Sequence, residues 1–186
     1  MLMQDSRTTD HWYALFTRYQ HEKLVATALS NKCYDVYLPV YRAVHRWQDR
    51  DKQLSLPLFP CYVFLRGGLD RQLQILTTPG LLHIVSWGGR PAVIPPAQIE
   101  AVKQILGSGL PVQSHPYMRC GDRVRVRSGP LMGLEGILER TKGQARLVLS
   151  MEMLGRAAAV EIEAWNLERV GPVPVLPFSR SGEATA

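Results

Sequence analysis

Valine and arginine alternate along Arg123-Val124-Arg125-Val126-Arg127, the period-2 pattern of a strand with one face buried and the other in water. Ser128-Gly129-Pro130 ends that run. Gly133 and Gly136 then open the next apolar stretch, at positions where a bent sheet calls for positive φ. Further apolar runs follow, and together they predict a small, sharply bent β-barrel from about Arg119 to Val170. Its strands are expected near 123–127, 134–140, 145–151, 157–163 and 167–170.

The first half of the chain mixes periods. Trp12–Thr17 is aromatic and apolar and reads as a strand, and Leu24, Val25, Ala28 and Leu29 recur at helical spacing between Gln20 and Asn31. Val36–Tyr41 is extended, with Pro39 marking an edge or bulge, and the polar, basic segment Arg42–Ser55 reads as a hairpin or a mobile loop. Leu58–Leu65 is a dense strand. A short helix is predicted from Asp70, its N-cap, to about Thr78, stopped by Pro79-Gly80. Ile84–Trp87 and Arg90–Ile94 flank Gly88-Gly89 as a hairpin, with His83 expected to pack inside it. Pro95-Pro96 opens a helix carrying Ile99, Val102 and Leu106 on one face and ending at Gly107. This order predicts an α+β protein whose residues 11–106 form an α/β sandwich on a mostly antiparallel sheet. Residues 107–118 lack periodicity and read as a flexible linker to the barrel, 119–170; the tail, 171–186, reads as disordered.

Composition changes this picture little. The 186 residues are 46% hydrophobic and 20% charged, ordinary values for a globular protein. The net charge of +6 favours an anionic partner weakly, and its excess lies mostly in the first half. No apolar run is long enough to span a bilayer and Met1–Arg7 lacks a signal-peptide core, so a cytoplasmic location without membrane contact is expected. Cys33, Cys61 and Cys120 match no metal-binding spacing and read as reduced thiols. No phosphate loop, HExxH, GxSxG or carboxylate cluster is present, so neither catalysis nor a cofactor nor a metal is expected.

Ordered motifs narrow the function. Gly121 to Leu138 resembles the KOW motif of the NusG family of transcription elongation factors. Trp12-Tyr13 is similar to that family's opening strand, and Phe59-Pro60-Cys61-Tyr62 to its Phe-Pro-Gly-Tyr strand. Thr78-Pro79-Gly80, Gly88-Gly89-Arg90-Pro91, Leu154-Gly155-Arg156 and Val160-Glu161-Ile162 match in order, so the resemblance covers about residues 11–170. One departure is Cys61, where the family most often has Gly; it is compatible with the operon-specific RfaH-like and UpxY-like members.

The resemblance implies an NGN-type first domain linked to a KOW barrel, in a monomer that grips the clamp helices of RNA polymerase. By motif position the contacts are Phe16, Phe59, Pro60, Tyr62, Phe64 and Trp87, with Arg71 near the opposite polymerase pincer. A helical tip needs an aromatic surface, although each of these aromatics, Phe64 above all, also reads as core. Arg18, Arg42 and Arg46 are placed to meet non-template DNA, unless the segment 42–55 is a solvated loop. Leu154, with Met153 and Arg156 beside it, marks the family's contact with NusE in the ribosome or with the termination factor Rho. Such a factor modulates pausing, antitermination or termination. A ribosome-associated or general RNA-binding KOW protein is the alternative. Some RfaH-type members refold this unit as helices; the six glycines between 121 and 155 favour a stable barrel here.

Overall fold

The computed structural model describes residues 11–47, 50–67, 69, 71–116, 122–141, 144–151 and 154–172. The chain opens with β1 (Trp12–Thr17), α1 (Glu22–Asn31), β2 (Asp35–Tyr37), β3 (Val40–Trp47) and β4 (Arg50–Pro57). There follow β5 (Tyr62–Arg66), α2 (Gln72–Leu76), β6 (Leu81–Ile84), β7 (Ser86–Trp87), β8 (Arg90–Pro91), β9 (Val93–Ile94) and α3 (Pro96–Gly107). The antiparallel sheet runs β2-β5-β1-β6, with β9 also paired to β1.

Strand β1 is apolar on both sides because both are covered. Tyr13 and Leu15 join Val25 and Leu29 of α1 and Ile75 of α2. Trp12 and Ala14 point the other way, into a cluster with Phe64 of β5 and Ile99 and Val102 of α3. Period 2 in the strand therefore sorts its residues between two helical layers. The expected hairpin is β7–β8, and Gly88 and Gly89 take φ of 57° and 77°, the two positive values a tight two-residue turn requires. The basic segment forms the long hairpin β3–β4, paired from Val40↔Pro57 to Trp47↔Arg50. The helix predicted over 70–78 is confined to Gln72–Leu76, and Asp70 lies outside the described residues. His83 is exposed on β6 rather than packed inside a hairpin, because its register sets it on the same face as Phe16.

The second half departs from the predicted barrel. Its strands are β10 (Val112–Pro116), β11 (Asp122–Val126), β12 (Glu135–Thr141), β13 (Gln144–Met151), β14 (Arg156–Ile162) and β15 (Leu167–Pro172). They form an open 6-stranded antiparallel sheet in the order β10-β14-β13-β12-β11-β15. The expected closed KOW β-barrel is corrected for a physical reason. The edge of β14 is taken by β10, which lies in the segment 107–118 read from sequence as a linker, so β10 and β15 remain as two separate edges. The apolar face that closure would seal is instead filled from the first half: Ile105 of α3 is buried among Val124, Val126, Leu131, Leu147 and Val160. Of the tail expected to be disordered, residues 173–186 lie outside the described residues.

Two backbone positions are testable. Gly133 has φ of 82°, but Gly136 is required for closeness: a Cβ there would lie 2.7 Å from the Val148 carbonyl oxygen. Gly136→Ala is expected to destabilise the protein by about 1–3 kcal/mol in thermal unfolding. Gly107→Ala, which meets open space at the end of α3, should change stability by less than about 0.5 kcal/mol. Cys61 adopts φ of 70°, so a left-handed position that favours Gly is occupied here by a residue with a Cβ. Cys61→Gly is expected to raise stability by about 0.5–1 kcal/mol, left-handed strain being partly offset by glycine's larger unfolded entropy. A lower urea midpoint would contradict this.

Candidate interaction surface

The sequence concentrates aromatic side chains on one face of the first sheet. Alternation sets Trp12, Ala14 and Phe16 of β1 on the same side as Tyr62 and Phe64 of β5, and the register places Phe16 opposite both Tyr62 and His83. Phe16 meets Tyr62 edge to face at 5.3 Å between ring centroids and lies 5.0 Å from His83. Phe59, in the turn before β5, packs edge-on against Phe64 at 5.9 Å, and Tyr37 bridges Phe64 and Trp12 at 6.3 Å from each. Lys103 of α3 lies over the rings of Trp12 and Tyr37, at 5.4 and 5.6 Å. Burial, reinforced by the Glu100 carboxylate, pushes the Tyr37 phenol up to about 12, so it stays protonated.

The turn between β4 and β5 is pinned from the opposite side. Buried Glu22, in the first turn of α1, accepts the Cys61 N–H at 2.7 Å, and the Cys61 carbonyl accepts the Thr17 N–H at 2.8 Å. These bonds hold Cys61 in its left-handed conformation and aim Tyr62 and Phe59 onto the aromatic face. Burial and the Glu22 charge push the Cys61 thiol up, while the Arg156 guanidinium pulls it down.

The aromatic face is shared between the two halves. Met151, Leu154 and Ala158 of the second sheet enter the cluster formed by Trp12, Leu58, Phe59, Phe64, Ile94, Ile99 and Val102. The Tyr62 hydroxyl donates to the Leu154 carbonyl at 3.2 Å, and the Gln104 amide of α3 donates to the Pro130 carbonyl at 3.1 Å. Burial raises the Tyr62 phenol, and the Arg156 charge opposes that shift.

The residues singled out from sequence fall into distinct places. Phe59 and Phe64 are fully buried and Leu154 is 5% exposed, whereas Phe16, Pro60 and Tyr62 are half-buried at the rim. Trp87 is 79% exposed on its own hairpin. Arg71 precedes α2, which packs on the other face of the sheet, so it does not join the aromatic set. Arg18, Arg42 and Arg156 are exposed. The Arg46 side chain and Met153 lie outside the described residues. Sequence reasoning missed Ile105, Tyr37 and Glu22. Ile105 follows Val102 by three residues, so helical spacing alone carried its signal.

Among the described residues no group of three or more His, Cys, Asp or Glu is arranged to hold a metal ion, and no helix is long and apolar enough to cross a membrane.

Similarity to known proteins bears on what this surface serves. A family model described as transcription termination factor NusG matches residues 10–103. The transcription termination/antitermination protein NusG of Halalkalibacterium halodurans is 25% identical over 175 residues, covering 86% of this chain and 98% of that protein. That of Thermus thermophilus is also 25% identical, over 82% of this chain and 94% of the other, and that of Lactococcus lactis is 26% identical over 85% and 89%. A solved structure concerned with domain interaction in Thermotoga maritima NusG shares the fold, with a TM-score of 0.56 at 19% identity over 87% of this chain and 97% of that one. The chain belongs to the NusG family, whose members are non-catalytic transcription elongation and antitermination factors.

Proposed function

We propose that the first domain binds the clamp helices of RNA polymerase through the aromatic face of its sheet, and so modulates pausing, antitermination or termination. The observation that carries this reading is the Phe16–Tyr62 pair: two aromatic rings packed edge to face on an antiparallel sheet, half-buried, at the rim of an apolar face. A helical tip with apolar side chains fits such a surface, and aromatic anchors dominate the energy of interfaces of this kind. Pro60 extends the rim, Phe59 and Phe64 support it from beneath, and Trp87 and Arg71 are outlying contacts. Binding of this sort acts by favouring one polymerase conformation over another.

Arg18 and Arg42, both exposed, and Arg46 are proposed to meet the phosphates of non-template DNA. Leu154 and Arg156, with Met153, are proposed to contact a second partner, NusE of the ribosome or Rho. The charges of the second sheet favour a protein over RNA as that partner. Arg123 and Arg125 pair with Glu135 at 2.7 and 2.5 Å, Arg146 reaches Glu139 and Glu161 at 3.8 and 3.6 Å, and Arg169 pairs with Asp122. Cations already matched to carboxylates of their own sheet are poorly placed to neutralise phosphates.

Phe16→Ala tests the polymerase reading without opening the core as Phe59→Ala would. It is expected to weaken binding to purified RNA polymerase by about 1–3 kcal/mol and to reduce the effect on a paused template in proportion. Unchanged affinity in a folded variant would remove Phe16 and its neighbours from the site. Arg18→Ala and Arg42→Ala are each expected to lower the salt dependence of binding to elongation complexes, by about one unit of slope for each phosphate left unneutralised. An equal weakening at every salt concentration would assign them to protein contacts instead.

A further inference from the structure

We infer that the second sheet carries a further docking site, a cleft at the far end of β14 that takes an arginine side chain of a partner polypeptide. The cleft, of about 390 Å³, lies where β10 begins, β14 ends and the 3-10 turn Ala164–Asn166 leads into β15. The Pro111 carbonyl accepts the Glu161 N–H at 3.2 Å and ties the first two of these together. All the lining residues fall between 110 and 166. Strand β14 runs its 7 residues, Arg156–Ile162, between the Leu154 turn and the cleft, a span of about 20 Å. The cleft is therefore separate from both partner surfaces proposed above.

Its chemistry is apolar at the floor and acidic at the rim. Ala145 is buried, and half-buried Leu110 and Ile162 also pack against the core of the second sheet, so the floor is fixed. Above it Trp165 stands 73% exposed. The core does not use that ring, yet its turn is held firmly. The Asn166 side-chain oxygen accepts the N–H and the hydroxyl of Ser128 at 3.0 and 2.6 Å, and its amide donates to the Ser128 carbonyl at 2.8 Å. A large apolar side chain fixed in water beside a concavity is what an anchor site presents to a partner. Glu161 and Glu163 supply the rim, and among the described residues no basic side chain lines the cleft. Glu161 already faces Arg146 at 3.6 Å, whereas exposed Glu163 pairs with no cation among the described residues.

These features select the occupant. A phosphate would meet two carboxylates and no lining cation, which disfavours nucleic acid. A neutral apolar side chain would leave Glu163 unused. An arginine fits each part: its methylene stem covers the apolar floor, its guanidinium plane stacks on the indole, and its N–H fork reaches the Glu163 carboxylate.

The test uses the full chain, isotope-labelled so that indole N–H signals are read by NMR, with Trp165→Phe identifying the Trp165 signal. The probe is a short capped peptide with one central arginine, and its control carries citrulline, a neutral isostere. The arginine peptide is expected to shift the Trp165 signal saturably, to bind about fivefold more tightly than the citrulline peptide, and to weaken as salt is raised. Glu163→Gln and Trp165→Ala, both at exposed positions, should each weaken binding about three- to fivefold, the second read through backbone amide signals. Equal binding of the two peptides, or full affinity in Glu163→Gln, would overturn the assignment of a cation. A Trp165 signal that moves with a single-stranded oligonucleotide and not with the peptide would give the cleft to nucleic acid instead. One that moves only when the protein itself is concentrated would give it to a second copy of the chain. No shift with either peptide would overturn the site.

Discussion

The fold depends on α3 being buried on two sides. Ile99 and Val102 complete the apolar face of the first sheet, while Ile105, one turn further along, completes the core of the second. Each fully buried side chain of this size contributes about 1.5–3 kcal/mol relative to exposure. Removing α3 from either sheet would therefore leave an apolar face in water. Only residues 108–111 separate the end of α3 from β10, so the helix that serves the first half also starts the second.

This arrangement explains why the first domain was legible in the sequence and the second only in part. Period-2 and helical spacing, the glycine pair at Gly88-Gly89 and the proline pair before α3 are local signals, and they located β1, α1, β5, the β7–β8 hairpin and α3. The strands β11 to β15 were also legible, to within a few residues. Their closure was not. Val112-Gln113-Ser114-His115-Pro116 alternates too weakly to read as a strand and becomes one because the edge of β14 offers it a ladder. Barrel or open sheet is decided by which edges meet, and here the edge of β14 meets β10, while Ile105, outside the barrel-like segment altogether, joins the core of the sheet.

The candidate surface was legible in composition but not in exposure. Phe16, Phe59, Tyr62 and Phe64 do share a face, as strand alternation requires. Yet an aromatic that packs a core and one that waits for a partner carry the same sequence signal. Phe59 and Phe64 are separated from Phe16 and Tyr62 only by what covers them, and part of that cover, Met151 and Leu154, comes from about ninety residues along the chain. Cys61 was visible as an unusual residue, and its meaning became physical with its φ of 70° and its bond to Glu22.

The strength of the contact between the halves is set by the shortness of their connection as much as by its area. With residues 108–111 joining α3 to β10, the second sheet is held near the first at an effective concentration of about millimolar or more. Little further entropy is lost when the contact forms. A handful of apolar contacts and the bonds Tyr62–Leu154 and Gln104–Pro130 then join the two halves. Met151, Leu154 and Ala158 are only three of the buried residues in that cluster, and the others all belong to the first half of the chain.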